Sequence, residues 1–172
     1  MFDIDRVTIE PLNGLHDLSR FVCSKAPIQA FCRDKLLEAH DAFRLRASVA
    51  LHKGDPRIVG YYYLCLSSVA PEAVDRALEG DFMHVDAIPA VYMGMIGVDA
   101  RLERRGIGKK LMTDALARVS RIAESAGTFA LTLDALDEEV AEYYEGQFDF
   151  QRFEPGGLKM FLPIGTIMAL GL

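Results

Sequence analysis

The stretch Glu103-Arg104-Arg105-Gly106-Ile107-Gly108-Lys109-Lys110-Leu111 decides the fold, because it joins a predicted buried strand to the longest predicted helix. The strand, from Val91 to Val98, is apolar almost throughout, which is typical of a strand covered on both faces. The helix has apolar residues at helical spacing and should end at Gly127, since glycine commonly terminates helices. The sequence therefore predicts a strand, a glycine loop and a long helix in succession.

The loop has the chemistry of an anion-binding site. Because Gly106 and Gly108 lack Cβ atoms, their backbone amides can point inward together and a ligand can approach closely. The first turn of the helix adds unbonded N–H groups and about half a positive charge. Arg104, Arg105 and Lys109 supply cationic side chains. These features predict a phosphate or pyrophosphate site, and the alternative is a solvated turn before a basic helix start.

Two common phosphate-binding motifs are absent from the sequence. It contains no Gly-x-x-x-x-Gly-Lys-[Ser/Thr], which argues against a P-loop NTPase. No Gly-x-Gly-x-x-Gly follows an early strand, which argues against a dinucleotide-binding fold.

Composition limits the class of protein. The chain has 172 residues and is 51% hydrophobic, enough for one domain with a single core, and this excludes disorder. Three cysteines are too few for a disulfide scaffold, and their odd number indicates reduced thiols in a cytoplasm. The start of the chain lacks the features of a signal peptide. The longest apolar stretch, Met160 to Leu172, is shorter than the roughly 20 residues of a membrane-spanning helix, so no membrane partner is expected.

Hydrophobic periodicity predicts helices interleaved with strands along the chain. In order, we predict a strand over 7–12, a helix over 27–41, a hairpin from strands over 43–51 and 58–66, a short helix over 71–78, a turn-rich segment over 80–89, the strand over 91–98, the long helix to 127, a strand over 129–133, a helix capped by Asp137, and closing strands over 148–154 and 158–163. Residues 1–172 therefore form one α/β (α+β) domain with a mixed sheet.

The central segment resembles the GNAT superfamily of acetyltransferases, which use acetyl-coenzyme A (acetyl-CoA). The resemblance rests on Met95-Ile96-Gly97-Val98-Asp99 and on the glycine loop. The family's loop is [Gln/Arg]-x-x-Gly-x-[Gly/Ala], and Glu103 departs from it whereas Gly106 and Gly108 conform to it. The resemblance covers roughly residues 43–163. It implies a mostly antiparallel sheet of about six or seven strands flanked by about four helices.

The resemblance implies that an amine attacks the acetyl thioester directly in a ternary complex. The loop would bind the pyrophosphate, and the pantetheine arm would lie along the strand around residues 96–99. A splayed strand or bulge at Gly97 would free backbone amides to stabilise the oxyanion. The residues expected at the cofactor are Ile96, Val98, Arg104, Arg105, Gly106, Gly108 and Lys109.

The segment from Ala135 to Tyr144 resembles the family segment that ends in an aromatic-Tyr pair. It implies that Tyr144 is the acid that protonates the leaving thiolate, while Tyr143 packs inward. The alternative is that both tyrosines are half-buried aromatics of an amphipathic helix. The family continues Tyr-x-x-x-Gly-Phe, whereas this chain has one inserted residue and Asp149 at the usual glycine.

The sequence assigns no general base and no metal. His84, Asp86 and Asp99 are nominal bases, but no spacing singles one of them out. No pair of the remaining histidines has metal-ligand spacing, so no metal site is expected. An amine with a low pKa would need no base from the enzyme.

Three further segments look like those of the tRNA-acetylating GNAT toxins of bacterial toxin–antitoxin pairs. They are Phe21-Val22-Cys23-Ser24, Val59 to Val69, and Ile88 to Asp99. This closer resemblance implies that the acceptor is the α-amine of an aminoacyl-tRNA and that a small antitoxin protein neutralises the enzyme. The depressed pKa of such an amine suits a site without an obvious base.

The charge balance argues against tRNA, because the net charge is −6 and an RNA-binding surface should be positive. The only basic patches in the sequence are the glycine loop with its flanks and the group Arg44, Arg46, Lys53 and Arg57. A small amine or peptide N-terminus is therefore a second acceptor class. An inactive coenzyme A sensor is a third hypothesis, which Glu103 and the altered segment after Tyr144 favour. The sequence leaves a homodimer open.

Overall fold

The structure is a computed structural model that describes residues 2–78 and 86–172. Its elements are β1 (Val7–Pro11), α1 (Ala26–Asp34), α2 (Leu36–Asp41), β2 (Arg46–His52), β3 (Ile58–Val69), α3 (Pro71–Leu78), β4 (Ile88–Val98), α4 (Ile107–Ser125), β5 (Ala130–Asp134), α5 (Glu138–Phe148), β6 (Gln151–Arg152), β7 (Lys159–Pro163) and α6 (Ile164–Ala169). The strands follow the order β1-β2-β3-β4-β5-β7-β6 in a seven-stranded sheet.

The expected fold class is confirmed. The pairs β1–β2, β2–β3, β5–β7 and β6–β7 are antiparallel, and β4–β5 is parallel, so the sheet is mixed and mostly antiparallel. Six α-helices lie within the described residues, rather than about four. The chain divides into two compact units, and β3, β4 and α4 each contribute residues to both.

The first unit comprises residues 1–65 and 94–115. Two glycines let helices pack closely on its strands. A Cβ at Gly97 of β4 would lie 2.6 Å from a methyl carbon of Ile28 in α1. A Cβ at Gly60 of β3 would lie 2.9 Å from Leu111 in α4. Side chains larger than hydrogen would push these helices away, so the two glycines set the thickness of this unit.

The single helix expected over 27–41 is two helices, broken at Lys35 (φ −135°, ψ −21°). The second of them, α2, is tied to β2 because the buried His40 accepts a hydrogen bond from the Ala47 amide at 3.0 Å. Burial lowers the pKa of His40, which suits this acceptor role. Phe43 lies in the left-handed region (φ 57°), and β2 therefore begins at Arg46 rather than at residue 43.

The second unit comprises residues 66–93 and 116–172. In it β4 pairs with β5 from Val91–Leu131 to Met93–Leu133, and β7 lies between β5 and β6. The expected closing strand over 148–154 is wrong at both ends. Phe148 ends α5, and the short β6 covers only Gln151–Arg152. The tail from residue 160 begins within β7, an inner strand of the sheet, and then forms α6, a helix the sequence analysis did not predict.

Arg152 ties the short strand β6 to α5. Its guanidinium donates hydrogen bonds to Glu138 and Glu145 of α5, at 2.7 to 3.0 Å, and to the carbonyl of Gly157. One partly buried arginine thus connects β6, the β6–β7 turn and two turns of α5. Asp137 caps the start of α5, as predicted, by accepting a hydrogen bond from the Val140 amide.

Asp99 ties the end of β4 to the segment before α1. Its side chain is only 1% exposed and accepts hydrogen bonds from the amides of Val22 and Arg101 and from the Arg101 guanidinium. Burial acts to raise the pKa of Asp99, but the hydrogen bonds from Arg101 outweigh it and hold the pKa below its usual value. A carboxylate that is already engaged in this way is a poor general base.

We predict that Asp99→Asn destabilises the fold by about 2 kcal/mol at pH 7, because it weakens charge-assisted hydrogen bonds to a buried oxygen. Since the native pKa is lowered, the carboxylate stabilises the protein fully above about pH 4, and this contribution is lost as the pH falls through the native pKa. Urea unfolding at several pH values should therefore show a difference between wild type and variant that shrinks in acid. Equal stability at pH 7 would contradict this account of the tether.

Candidate cofactor and active site

The glycine loop leaves a run of backbone amides without partners. Arg104 and Gly106 have positive φ angles of 58° and 87°, and Arg105 between them does not. Such alternation turns successive N–H groups toward one side and forms a concave anion site. None of the amides from Arg104 to Lys109 donates a hydrogen bond to another described residue. The loop and the first turn of α4 therefore present a set of donors suited to a phosphate.

The two loop glycines serve different purposes. Gly106 is required by its own conformation, because a φ of 87° strains any residue with a Cβ. Gly108 has no such angle, and a Cβ there would meet only Val98 at 3.6 Å, an ordinary contact. The fold thus tolerates a side chain at Gly108, and only a ligand approaching the helix start would exclude it.

The predicted cationic side chains surround this loop. Arg104, Arg105 and Lys109 are exposed, and the Arg105 guanidinium lies 5.5 Å from the centre of the Phe2 ring. Glu103, which departs from the family pattern, is also exposed. Its carboxylate accepts no hydrogen bond from the loop amides, so it leaves the anion site open.

The edge of β4 is open beyond Met93. The register between β4 and β5 ends at Met93–Leu133, although β4 continues to Val98. We expected β4 to open at Gly97, but it opens earlier along the strand. The Asp99 amide donates to the Val59 carbonyl of β3 at 2.9 Å. Because amides alternate in direction along a strand, those of Val98 and Ile96 point away from β3, toward the open edge.

Tyr144 lies in α5 with a buried ring and a hydroxyl that is not hydrogen-bonded. The residue is 8% exposed, and its ring packs against Phe150 and Tyr143 with centroids 5.6 and 5.8 Å away. The hydroxyl makes no hydrogen bond to any residue in the described ranges. Burial raises the pKa of Tyr144, so the phenol stays protonated at neutral pH. The inward packing expected of Tyr143 is wrong, since that residue is 48% exposed.

The altered segment after Tyr144 preserves the end of the helix. Asp149 adopts the left-handed conformation (φ 59°, ψ 27°) that glycine usually takes at such a position. Aspartate tolerates this region better than most residues because its short side chain can bond locally. The amides of Asp149 and Phe150 both donate to the Tyr144 carbonyl. The unusual sequence therefore still fixes the last turn that carries Tyr144.

Other titratable groups have structural roles or lie outside the site. His84 falls outside the described residues, and Asp86 is exposed. His16 bonds to Glu10 at 2.8 Å. No group of three or more histidine, cysteine, aspartate or glutamate residues in the described part of the chain could hold a metal ion. The general base is thus unassigned.

The basic patch expected in the first half of the chain is largely neutralised by local partners. Arg44 pairs with Glu38, and Arg46 lies over the Phe43 ring at 4.8 Å. Arg57 pairs with Asp55, and hydrogen bonds from Arg57 lower the pKa of Asp55 to about 2. By contrast, Arg104, Arg105 and Lys109 form no ion pair with a described residue. The cations of the glycine loop are therefore available to a ligand.

No helix among the described residues combines the length and the apolar character that crossing a bilayer requires.

Comparison with known proteins identifies the family, although no protein-family model matches the chain. The chain is 34% identical to the "Probable toxin TacT" of Sinorhizobium fredii, over 94% of this chain and 93% of the relative. It is 30% identical to the "tRNA-acetylating toxin" of Mycobacterium tuberculosis, over 92% of this chain and 93% of the relative.

Among solved structures, AtaT complexed with acetyl-methionyl-tRNAfMet superposes with a TM-score of 0.86 at 25% identity, covering 96% of this chain and 99% of that one. AtaTR bound with AcCoA gives a TM-score of 0.84 at 26% identity, over 98% and 100%. With a GNAT-type sheet and two such relatives across nearly its whole length, the chain belongs to the tRNA-acetylating toxin family of GNAT N-acetyltransferases.

Proposed function

We propose that this chain transfers the acetyl group of acetyl-CoA to the α-amine of an aminoacyl-tRNA, as the toxin of a toxin–antitoxin pair. The run of unpaired amides at the start of α4 is the observation that carries the proposal. It supplies the donors that the diphosphate of acetyl-CoA needs. The relative named as a tRNA-acetylating toxin and the solved complex with acetyl-methionyl-tRNA support this choice of acceptor.

In this proposal the cofactor binds chiefly through the main chain. The amides around Gly106 and Gly108 hold the pyrophosphate, while Arg104, Arg105 and Lys109 contact its oxygens from solvent. The amides of Ile96 and Val98 bind the pantetheine arm, which pairs with the open edge of β4 as another strand would. An amide on the same edge binds the thioester oxygen as it gains negative charge during the attack.

Transfer then needs a neutral amine and a stabilised leaving group. An ordinary α-amino group has a pKa of about 8, so a substantial fraction is neutral near pH 7.5 without an enzymatic base. As the amine attacks, the N–C bond forms and the C–S bond breaks; the Tyr144 hydroxyl protonates the departing sulfur, which leaves as the coenzyme A thiol. The proton that the amine loses passes to solvent, from which the Tyr144 phenol is reprotonated. Burial keeps the phenol protonated, so Tyr144 acts as a donor and acid, and it does not serve as the base.

The acetylation of a small amine or a peptide N-terminus is the second candidate function. It is favoured by the pairing of Arg44 and Arg57 with carboxylates, which leaves little positive surface in the first half of the chain. The sensor hypothesis is weaker. The Glu103 carboxylate accepts no hydrogen bond from the loop amides, and Asp149 preserves the helix end, so both features that favoured an inactive domain are compatible with an active one.

We further propose that the protein works in the cytoplasm, where charged tRNA is found, and that a small antitoxin protein binds it. The three free cysteines agree with a reducing compartment. A solved relative is AtaT, described as bound to the C-terminus of the antitoxin AtaR and acetyl-CoA.

The reaction itself can be tested with labelled acetyl-CoA. We expect acetyl transfer to methionyl-tRNA and other charged tRNAs, and none to the same tRNAs after the aminoacyl ester has been hydrolysed. Neutralising Arg104 and Arg105 together should weaken both acetyl-CoA and tRNA binding in a salt-dependent manner. Transfer to small amines without transfer to charged tRNA would favour the second candidate instead.

A graded series at Gly108 tests the cofactor site. Because Gly108 has room for a Cβ, Gly108→Ala and Gly108→Val should fold as wild type, while the larger side chain blocks the diphosphate. Calorimetry should show coenzyme A binding at least tenfold weaker for Gly108→Val, with Gly108→Ala intermediate. Gly127→Ala is a matched control, since a Cβ there meets nothing within 4 Å. Unchanged affinity in Gly108→Val would exclude the loop as the diphosphate site.

Tyr144→Phe should lower turnover by about 100-fold while leaving coenzyme A affinity unchanged, because only the hydroxyl acts on the leaving sulfur. The hydroxyl forms no hydrogen bond within the described protein, so the melting temperature should also stay the same. Tyr143→Phe, one residue away and half exposed, provides the control. If Tyr144→Phe had the same turnover as wild type, the role of Tyr144 would be limited to packing.

A further inference from the structure

Three consecutive tyrosines on β3 use their hydroxyls differently. The Tyr61 hydroxyl donates to the Ile28 carbonyl at 2.8 Å, and the Tyr62 hydroxyl donates to the Asp114 carboxylate at 2.5 Å. The Tyr63 hydroxyl forms no hydrogen bond within residues 2–78 and 86–172. Two of the three hydroxyls therefore stabilise the fold, and the third has no partner of that kind.

The Tyr63 hydroxyl is accessible although its ring is half-buried. Within the described residues, the one fully buried side-chain nitrogen or oxygen that lacks a hydrogen bond is His52 Nε2. The Tyr63 oxygen is therefore exposed to solvent and to a ligand. Burial raises the pKa of Tyr63, so the group remains a neutral phenol that can both donate and accept a hydrogen bond.

A glycine fixes where this hydroxyl lies. The ring of Tyr63 crosses the main chain of β4 at Gly94, where a Cβ would lie 1.9 Å from Cζ and 2.0 Å from Oη. Any other residue at Gly94 would displace the ring. On the α1 side the ring is supported by Phe31, with centroids 5.4 Å apart. The hydroxyl is thus held directly against the backbone of β4.

Gly94 marks the start of the open edge of β4. Met93, immediately before it, is the last residue in register with β5, and Ile96 follows two residues later. The open edge from Gly94 to Val98 is where the proposed function places the pantetheine arm and the thioester. A preplaced phenol at the beginning of that edge stands next to the proposed reaction path.

We propose that Tyr63 binds the acceptor. Its hydroxyl accepts a hydrogen bond from the attacking α-amine and donates one to the ester carbonyl of the same aminoacyl group. A single hydroxyl can make both bonds, and an α-amino ester has its donor and acceptor close together. The inference rests on the proposed acetylation of aminoacyl-tRNA, and it assigns part of the preference for an α-amino ester over a simple amine to this one side chain.

Tyr63→Phe tests the inference, because it removes the hydroxyl and keeps the ring that packs on Gly94 and Phe31. With charged tRNA as acceptor, kcat/KM should fall roughly tenfold, as expected for one lost hydrogen bond pair in the transition state. The melting temperature and the affinity for acetyl-CoA should match wild type. Tyr61→Phe is the matched control: it loses a structural hydrogen bond, so its melting temperature should fall while kcat/KM for charged tRNA stays near wild type.

Gly94→Ala gives a second, independent measurement, since it displaces the Tyr63 ring without changing Tyr63. If the two positions act through one hydroxyl, their effects should not add. Gly94→Ala should lower kcat/KM much less in the Tyr63→Phe variant than it lowers kcat/KM in the wild-type protein. Should Gly94→Ala fail to fold, the comparison of Tyr63→Phe with Tyr61→Phe is sufficient.

The outcomes separate this inference from the proposed function. If wild type binds acetyl-CoA but transfers nothing to charged tRNA, the proposed function fails and the role of Tyr63 fails with it. If wild type is active and Tyr63→Phe has the same kcat/KM, only the inference about Tyr63 is overturned. A selective loss of acetyl-CoA affinity in Tyr63→Phe would also overturn it, because the hydroxyl would then contact the cofactor.

Discussion

Backbone amides without internal partners are the constraint on which the proposed chemistry depends. The first N–H groups of a helix have no partner within the helix, and the positive φ angles of Arg104 and Gly106 add further amides just before it. Here the run occurs where a strand, a left-handed loop and a long helix meet, and the open edge of β4 adds further amides. A diphosphate joined to an amide-rich arm matches both sets of donors. The side chains add charge and specificity to a site that the main chain has already shaped.

The glycines of the first unit make this arrangement possible in different ways. Gly97 and Gly60 let helices come close to the sheet, and Gly94 lets an aromatic ring lie across β4. Gly106 is required by its backbone angle. Gly108 is compatible with a larger residue in the protein as described, which makes it informative about the ligand. Four of these five glycines are thus explained by the fold, and for the fifth, Gly108, the explanation is the diphosphate that we propose binds there.

The features that sequence could predict are those determined by local chemistry. The glycine loop, the long helix after it and the Asp137 cap follow from residue types at fixed spacing, and the structure has them where expected. The late start of β2 follows from the left-handed conformation of Phe43, and the hydrogen bond from the Ala47 amide to His40 ties α2 to β2. Hydrophobic periodicity reveals neither of these features, and it does not reveal the break at Lys35. The short β6 depends likewise on Arg152 binding two glutamates of α5. Tyr61, Tyr62 and Tyr63 are the same residue type, so the sequence cannot assign different roles to their hydroxyls. Those roles follow from the tertiary contacts of each side chain.

The open edge of β4 also affects how the protein self-associates when no cofactor is bound. An extended strand with unpaired amides is a template for any other strand, including one from a neighbouring copy. The cofactor arm that we propose binds along this edge would therefore also shield it from self-association. Coenzyme A would then act as a solubilising additive as well as a reactant, and cellular acetyl-CoA levels would influence how much of the enzyme persists in a dispersed form.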